Sequence, residues 1–399
     1  MDTNMKLNRL NHKLLSAFVM FVLSACGSND ANNNQATAQQ DTQPSHQQIA
    51  EKLDYQALID GLVSSEVHGI ILHVSTPDSS FTGSTGLANL TTQEPLQPDA
   101  VYHLASCGKV FTALLAVQLH EDGLLDLDHT LDNLLPIETV SQIQYADQIT
   151  LRQMLNHSSG IYNYSDPNNP DSYIDFVMAS YEQGVSNEDL TQFAYGKPAY
   201  FKPGEGIKYS NSNYTLAGMV MDRALGHSNA FAMRDKIIDR LALSNTFSVG
   251  IENQVAQLTP GYEKQDDSFI NTGPILSKVS ASSTPVASTV GELSSLTRRI
   301  FKDETWLSPA VRDELVGNKS RVKVSDTQDY VLGLWREQIN GHTVYHHNGG
   351  NHGYISNNLY IPELDVSVVY FLNCGLSEAC QNAFYTIENE VMASIVGER

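Results

Sequence analysis

The sequence feature that most constrains the fold is the apolar stretch at residues 104–119, LASCGKVFTALLAVQL. After Gly108 its apolar residues would cover most of a helix surface, which predicts a helix buried on nearly all sides and therefore a stiff platform. Ser106 and Lys109 stand three residues apart where this helix begins. Residues i and i+3 share one helix face, so the Lys109 ammonium can reach the Ser106 hydroxyl.

This spacing points to nucleophilic chemistry. A serine hydroxyl is a poor nucleophile, and burial beside it would lower the pKa of Lys109 and make the amine a proton acceptor. The motif is weak evidence by itself, because an S-x-x-K match arises by chance about once in a chain of this length. A second match, Ser320 with Lys323, is followed by polar residues and lies in no apolar helix, so we interpret it as coincidence.

The first 26 residues have the pattern of an export signal. Lys6, Arg9 and Lys13 precede the short apolar run LLSAFVMFVL, which is too short to span a bilayer as a mature helix. The run ends in LSAC, which resembles the bacterial lipobox and implies cleavage before Cys26 with a lipid anchor on its sulfur. A plain secretory signal with an incidental cysteine is the alternative. On the lipobox interpretation we expect a place in the bacterial cell envelope, facing the periplasm or exterior, with a lipid as the membrane anchor.

Two further segments follow from composition. Residues 27–48 are rich in Asn, Gln, Ser and Thr and hold almost no large apolar groups, which predicts a disordered linker. Residues 49–399 are long enough for one large domain or two lobes with a substantial core. The net charge of -21 argues against nucleic-acid binding and against attraction to anionic lipid.

Strand and helix signals are unevenly distributed along this domain. Residues 69–91 alternate apolar and polar side chains around a Pro-Asp-Ser-Ser turn, and residues 330–373 again show strand signals with short turns. Residues 123–300 are mainly helical and loop-like, and residues 377–395 form a last amphipathic helix. Strands at both ends with helices between predict one sheet made from the two termini and an inserted helical region.

A second candidate constellation is KYSNSNY, in which Tyr209, Ser210 and Asn211 follow the turn PGEG. A tyrosine near cations can have a lowered pKa and act as a general acid or base, and an Asn amide can hold both a substrate carbonyl and a lysine. The alternative is an ordinary hydrogen-bonded loop tyrosine.

A third constellation lies on a predicted strand near the C-terminus and consists of His347, Asn348, Gly349 and Gly350. Glycines in a strand leave the backbone open to a ligand, and N–H groups there could form half of an oxyanion hole.

Histidines cluster around this constellation, at positions 342, 346, 347 and 352, and a metal site is the rival interpretation. Neighbouring strand residues point to opposite faces, so His346 and His347 cannot easily converge on one ion, and we expect no metal and no cofactor. His157 in LNHSSG is expected to be structural, bonding backbone at a turn.

The motifs SCGK, YSN and HNG, in that order, resemble those of the serine β-lactamase and penicillin-binding protein superfamily. The match lies on the branch that includes class C β-lactamases, DD-carboxypeptidases, esterases and D-amino-acid peptidases, and it covers roughly residues 50–399. The resemblance implies an α/β (α+β) fold with an antiparallel sheet and flanking helices. In that fold residues 49–105 and 325–399 would form the sheet lobe, and residues 106–324 the helical lobe.

The resemblance also implies roles for the residues. Ser106 would be the nucleophile, Lys109 its activating base, and Tyr209 the group that protonates the leaving group and then activates water. Asn211 would hold the substrate amide.

The third motif would bind substrate through His347, Asn348, Gly349 and Gly350, with the N–H groups of Ser106 and Gly350 as the oxyanion hole. It also departs from the family. Many relatives have lysine and threonine where this chain has His347 and Asn348, which removes a cation and a hydroxyl that would hold the carboxylate of a β-lactam. A strong β-lactamase activity is therefore not expected.

A second departure concerns a loop near the site, where Thr284 and Pro285 replace paired glycines of the family. The cysteines fall into separate classes. Cys107 is expected to be a buried, inert thiol, whereas Cys374 and Cys380 are close enough in sequence to form a disulfide in an oxidising compartment.

The resulting expectation is an exported serine hydrolase that acts through an acyl-enzyme. Its substrates would be D-Ala-D-Ala-like peptides, such as a peptidoglycan stem peptide, or related amides and esters. A carboxylesterase of the same family and a non-catalytic protein that binds envelope peptides are the alternatives.

Overall fold

A broad antiparallel sheet built from both ends of the chain is the centre of the fold. The computed structural model describes residues 53–169, 171–252 and 257–397, and within them this sheet has nine strands. The strands of the described chain are β1 (Gly69–Ser75), β2 (Ser80–Asn89), β3 (Glu94–Pro95), β4 (Tyr102–His103), β5 (Phe247–Ser248), β6 (Tyr262–Gln265), β7 (Ser268–Asn271), β8 (Val286–Ser288), β9 (Val322–Lys323), β10 (Gln328–Tyr330), β11 (Trp335–Ile339), β12 (His342–Asn351), β13 (Tyr354–Ile361) and β14 (Val366–Leu372). The large sheet has the order β3-β2-β1-β14-β13-β12-β11-β10-β9.

Helices cover both faces of this sheet and fill the inserted region. They are α1 (Tyr55–Asp60), α2 (Lys109–Glu121), α3 (Leu131–Leu134), α4 (Ile137–Val140), α5 (Leu151–Leu155), α6 (Tyr173–Ser180), α7 (Asn187–Thr191), α8 (Asn211–Leu225), α9 (Asn229–Met233), α10 (Gly273–Leu276), α11 (Val290–Lys302), α12 (Pro309–Val316) and α13 (Glu378–Val396). Among the described residues, every helix is too short or too polar to cross a membrane.

The central strand β14 shows how the sheet divides the core. Alternate side chains of a strand point to opposite faces. Val368 and Tyr370 therefore pack with helix α13, while Val369 and Phe371 pack with helix α11 and the core of the inserted region. All seven residues of this strand are buried, as expected for a strand covered on both faces.

The predicted fold class is confirmed, with one difference in the middle of the chain. Strands from residues 69–95 pair with strands from residues 322–372, so the two ends do form one antiparallel sheet. The inserted region was expected to be helical and loop-like, but it also contributes β5 and β8, which form a small sheet with β4, and the hairpin of β6 and β7. These strands are two to four residues long, too short for a periodic pattern to show in the sequence. The predicted export signal, Cys26 and the linker lie outside the described residues.

Helix α2 is the buried platform that the sequence predicts. Every residue from Lys109 to Val117 is buried, and so is Leu119. The helix begins at Lys109 rather than at Ser106, because residues Ala105–Gly108 form a 3₁₀ turn before it. Gly108 lies against the next segment so closely that a Cβ there would be 2.8 Å from Pro285 Cδ. The start of the helix is therefore fixed on the inserted region and on the sheet at once.

Candidate active site

Ser106 and Lys109 meet at the junction of the 3₁₀ turn and helix α2. Lys109 Nζ lies 3.1 Å from Ser106 Oγ, which is hydrogen-bond distance. Lys109 is completely buried, and it is among the largest fully buried side chains of the described residues. The contact that the i, i+3 spacing predicts is present.

The surroundings of Lys109 favour the neutral amine. Burial holds the pKa of Lys109 well below its ordinary value of 10.5, because no water compensates the charge. Its Nζ donates to Asn211 Oδ1 at 2.8 Å and to the Ser283 carbonyl at 2.8 Å. A neutral amine has two N–H donors and one lone pair. With both donors used on carbonyl oxygens, the lone pair faces Ser106 Oγ.

The segment that supplies the Ser283 carbonyl is itself held against helix α2. Thr112 Oγ1 donates to the Ser282 carbonyl at 2.7 Å, and Ser282 N donates to Asn187 Oδ1 at 2.7 Å. This segment comes directly before Thr284, where the sequence departs from the family. Despite this departure, the backbone directs the Ser283 carbonyl at Lys109 Nζ. Any residue type could supply this carbonyl, because it belongs to the backbone.

Tyr209 lies on the irregular segment that leads into helix α8, with Lys109 Nζ 4.9 Å from its ring centroid. Burial raises the pKa of Tyr209 well above 10, and the neighbouring Ser106 hydroxyl opposes this only in part. The expectation of a lowered pKa is therefore wrong. The nearby cation on which it depended is itself disfavoured by burial, so little positive charge remains to stabilise a phenolate. The protonated phenol is therefore the favoured form of Tyr209.

The prediction that His157 is structural is confirmed. Its Nδ1 accepts from Ser210 N at 3.2 Å and from Asn213 Nδ2 at 3.1 Å, and its ring lies 4.3 Å from that of Tyr209. Burial holds the pKa of His157 well below 6.5, so the ring is neutral and can accept these bonds. The LNHSSG segment thus fixes the loop that carries Tyr209.

Asn211 is positioned by two residues that the sequence did not single out. Its backbone N donates to Asn163 Oδ1 at 2.9 Å, and its Nδ2 donates to Ser165 Oγ at 2.9 Å. One N–H of the Asn211 amide stays available, because the NH₂ group has two donors. Both partners follow the LNHSSG segment within eight residues, and this proximity to a recognised motif is the only signal that could have indicated them.

Strand β12 forms an open edge beside Ser106. Strand β11 pairs with β12 only as far as His346, so the following residues have no strand neighbour on that side. Gly349 lies against the nucleophile's turn, since a Cβ there would be 2.5 Å from Leu104 O and 3.0 Å from Ser106 N. Only glycine allows this approach. Gly350, one residue further, lines the cavity together with Ser106.

The side chain of His347 does not lie where substrate contact would place it. It is 1% exposed, its Nε2 lies 3.1 Å from Tyr330 Oη, and its ring centroid is 6.0 Å from that of Tyr209. Burial lowers the pKa of His347 to about 3, so the ring is neutral. The prediction of substrate contact by this imidazole is corrected: the ring supports the site from behind, and the next three residues of β12 line the cavity.

His346 points away from this position and lies 3.3 Å from Glu337, as the alternation of strand side chains predicts. In the described residues no group of His, Cys, Asp and Glu side chains is arranged to hold a metal ion.

The structure separates Cys107 from the other two described cysteines, as expected. Cys107 is buried and its thiol donates to the His347 carbonyl at 2.7 Å, while burial raises its pKa to about 12. Cys374 and Cys380 form a disulfide. The loop that it closes carries Leu376, whose Cδ2 would be 3.0 Å from a Cβ at Gly350. The disulfide thus holds one wall beside the open edge of β12.

Two cavities meet at the candidate nucleophile, and both are lined by Ser106, Asn211 and Gly350. The larger has a volume of about 410 Å³ and the smaller about 210 Å³. The larger cavity is also lined by Asn163, Ser165, Asp166, Lys208, Tyr209, Trp335, Asn348, Gly349, Leu376, Phe384 and Tyr385. The smaller is lined mainly by apolar residues, among them Tyr173, Ile174, Val177, Met178, Ile275 and Leu276.

A serine and a buried lysine under an antiparallel sheet, with a tyrosine and an asparagine beside them, define the class of serine hydrolases that contains β-lactamases and penicillin-binding proteins. A family model described as Beta-lactamase matches residues 55–388. This chain therefore belongs to the beta-lactamase family, and it is a serine hydrolase.

Known relatives agree with this class. The chain is 30% identical over 185 residues to a penicillin-binding protein of Bacillus subtilis (strain 168), covering 45% of this chain and 38% of that protein. It is 29% identical over 210 residues to the lovastatin esterase of Penicillium rubens, covering 48% of this chain and 51% of that protein. The matches thus span about half or less of these relatives.

Among solved structures, a D-stereospecific amidohydrolase from Streptomyces has the same fold. It superposes with a TM-score of 0.71 at 23% identity, covering 89% of this chain and 100% of that one.

Proposed function

We propose that the protein hydrolyses amide or ester bonds through an acyl-enzyme on Ser106. The observation that carries this proposal is the position of Lys109 Nζ, 3.1 Å from Ser106 Oγ, in a buried site where the neutral amine is favoured. A neutral amine beside a serine is a general base, and this one stands where two cavities meet. One cavity can hold the acyl part of a substrate and the other its leaving group.

Acylation follows from this arrangement. Ser106 Oγ attacks the carbonyl carbon while its proton passes to Lys109 Nζ. The backbone N–H groups of Ser106 and Gly350 stabilise the negative charge on the carbonyl oxygen. The bond to the leaving group then breaks, its electron pair goes to the leaving oxygen or nitrogen, and Tyr209 supplies the proton. The proton held by Lys109 returns to Tyr209 and restores the pair.

Deacylation uses the same groups in reverse. Water enters from the cavity that the leaving group has vacated and attacks the acyl carbon, while the pair of Tyr209 and Lys109 accepts its proton. Ser106 Oγ leaves with a proton and the acid product is released. Asn211 would hold the acyl amide or carbonyl with its available N–H during both steps.

The substrates that we propose are D-Ala-D-Ala-like peptides or related amides and esters of the cell envelope. The relatives bear on this choice through their names, which are a penicillin-binding protein, an esterase and a D-stereospecific amidohydrolase. We propose in addition that the chain is exported and anchored by a lipid on Cys26, on the basis of the basic and apolar pattern before that residue.

Intact-mass spectrometry tests the acyl-enzyme. The protein and its Ser106→Ala variant are incubated with a fluorophosphonate, with benzylpenicillin and with a D-Ala-D-Ala peptide. We expect a fluorophosphonate adduct in the wild type and none in the variant. Released D-alanine would identify a carboxypeptidase. Absence of any adduct, together with no turnover of peptides or esters, would contradict the proposal and favour a non-catalytic binding protein.

A further inference from the structure

Only one of the two cavities is placed to hold the leaving group. The group that receives the proton of Tyr209 must lie against its phenol, and Tyr209 lines only the larger cavity. The leaving group therefore occupies the larger cavity and the acyl group the smaller one. This step rests on the role of Tyr209 in the proposed function.

One side of the larger cavity is aromatic and apolar. Trp335 comes from the start of strand β11, Phe384 and Tyr385 come from helix α13, and Leu376 comes from the loop closed by the disulfide. The rings of Phe384 and Tyr385 are 5.3 Å apart in an edge-to-face arrangement. Aromatic walls of this kind bind flat or apolar groups through area and ring geometry.

The charges of this cavity balance. Among its described lining residues, Lys208 is the one cation and Asp166 the one anion. Burial would raise the pKa of Asp166, but a hydrogen bond from Tyr200 Oη at 2.7 Å and the nearby Lys208 hold it below 3.8. Lys208 thus already has a carboxylate neighbour, and the Lys208 Nζ lies 5.5 Å from the Tyr200 ring centroid.

Among the described residues that line this cavity, no other cation compensates a charged leaving group. Lys109 is favoured in its neutral form, and His347 is neutral and buried behind Tyr209. A carboxylate entering this cavity would lose water and would have to share the one lining cation, Lys208, with the nearby Asp166, which makes its transfer unfavourable.

We propose that the larger cavity is a subsite for a neutral, aromatic or apolar leaving group and discriminates against a free carboxylate. Of the substrates proposed above, this subsite would favour amides and esters of an apolar alcohol, phenol or amine over D-Ala-D-Ala-like peptides, whose leaving D-alanine carries a free carboxylate. The leaving oxygen or nitrogen keeps the electron pair of the broken bond and takes its proton from Tyr209.

Three acetate esters with one acyl group test this subsite: phenyl acetate, 4-carbamoylphenyl acetate and 4-carboxyphenyl acetate. Each kcat/KM is divided by the rate constant for hydroxide hydrolysis, which removes differences in intrinsic reactivity. We expect the two neutral esters to exceed the carboxylate by about 10- to 100-fold. An equal or better normalised kcat/KM for the carboxylate would overturn the proposal.

Variants of the cavity wall separate charge from shape. Tyr385→Arg adds a cation and should reduce the preference for the neutral esters over the carboxylate ester by about 10-fold. Tyr385→Ala should lower kcat/KM for all three esters without changing this preference. Phe231→Ala is the matched control, because Phe231 is a 59% exposed aromatic residue of helix α9 that lines neither cavity. An unchanged preference in Tyr385→Arg would contradict the proposal.

The fluorophosphonate adduct distinguishes the two possible failures. If Ser106 is labelled and the carboxylate ester is preferred, the subsite proposal fails and the acyl-enzyme stands. If Ser106 is not labelled and no ester is hydrolysed, the acyl-enzyme itself fails and the subsite proposal fails with it.

Discussion

The chain contains the same motif twice, and its two copies have opposite environments. Lys109 is fully buried beside Ser106, and burial drives its pKa down. Lys323 is exposed, lies 2.7 Å from Asp326, and that carboxylate raises its pKa. The backbone explains the difference, because Ser106 leads into a buried helix whereas the chain turns to an extended conformation at Arg321. Spacing makes a catalytic pair only where the backbone is helical and water is excluded.

The largest expected effect separates the two serines. Ser106→Ala should lower kcat/KM for an ester by at least about 10,000-fold, since it removes the proposed nucleophile. Ser320→Ala should leave kcat/KM within about twofold, yet lower the free energy of unfolding by about 1–2 kcal/mol. Ser320 Oγ donates to Glu314 O at 2.6 Å and accepts from Arg152 Nη1 at 2.7 Å, and both bonds would be lost. Ester kinetics and urea unfolding measure the two effects.

The lysines should differ next. Lys109→Ala should lower kcat by about 1,000-fold because it removes the proposed general base, while Lys323→Ala should leave kcat unchanged. The remaining activity of Lys109→Ala should depend on hydroxide, so that its rate keeps rising with pH where the wild-type rate has reached a plateau. A pH–rate profile of both variants checks this. Equal effects of the two substitutions would contradict the distinction.

An amide partner also distinguishes the first pair from the second. Asn211 Oδ1 accepts from Lys109 Nζ, so Asn211→Ala should lower kcat/KM by about 100-fold. Asn318→Ala is the matched control, because Asn318 is exposed and precedes the second pair by two residues. The control should retain full activity in the same ester assay. A loss confined to KM in Asn211→Ala would show that the amide only binds substrate.

The smallest expected effect is on the pH dependence of stability, and substitutions of Lys109 and Lys323 should change it in opposite directions. The folded-state pKa of Lys109 lies below its unfolded value, so the unfolded chain binds more protons between these two values and stability falls as pH falls through that window. Relative to the wild type, Lys109→Met should therefore gain in Tm as pH is lowered from about 10 to about 7.

Lys323 has a raised folded-state pKa, so its contribution is fully present below the unfolded pKa and is lost as pH rises through the folded one. Lys323→Met should lower Tm slightly at about pH 7, and this difference should disappear as pH rises through the folded-state pKa of Lys323. Calorimetric scans across pH measure both variants. A parallel response of the two would contradict the assigned environments.

Side-chain identity explains which parts of the site the sequence could predict. The sequence could predict a cluster of four residues, because motif order and helix spacing are both read from residue type. These residues are Ser106, Lys109, Tyr209 and Asn211. The third hydrogen-bond partner of the lysine is the carbonyl of Ser283, 174 residues away, and every residue type has a carbonyl. Its contribution depends on tertiary packing and has no sequence signal.

The third motif shows a second limit. Strand alternation predicts that His346 and His347 point to opposite faces, and they do. It does not say which face opens on the cavity, since that depends on where β11 ends and where Tyr330 lies. The large sheet was easier to predict, because strands of seven to ten residues at both ends carry a clear period.

The disulfide between Cys374 and Cys380 determines at what stage the wall of the larger cavity becomes ordered. An unlinked loop would keep many conformations until a ligand fixed them, and each side chain immobilised in that way reduces the affinity by about 1 kcal/mol. The link removes this freedom while the chain folds, so Leu376 already lies against Gly350 of strand β12 before any ligand arrives. This preorganisation lasts only as long as the surroundings keep the two sulfurs oxidised.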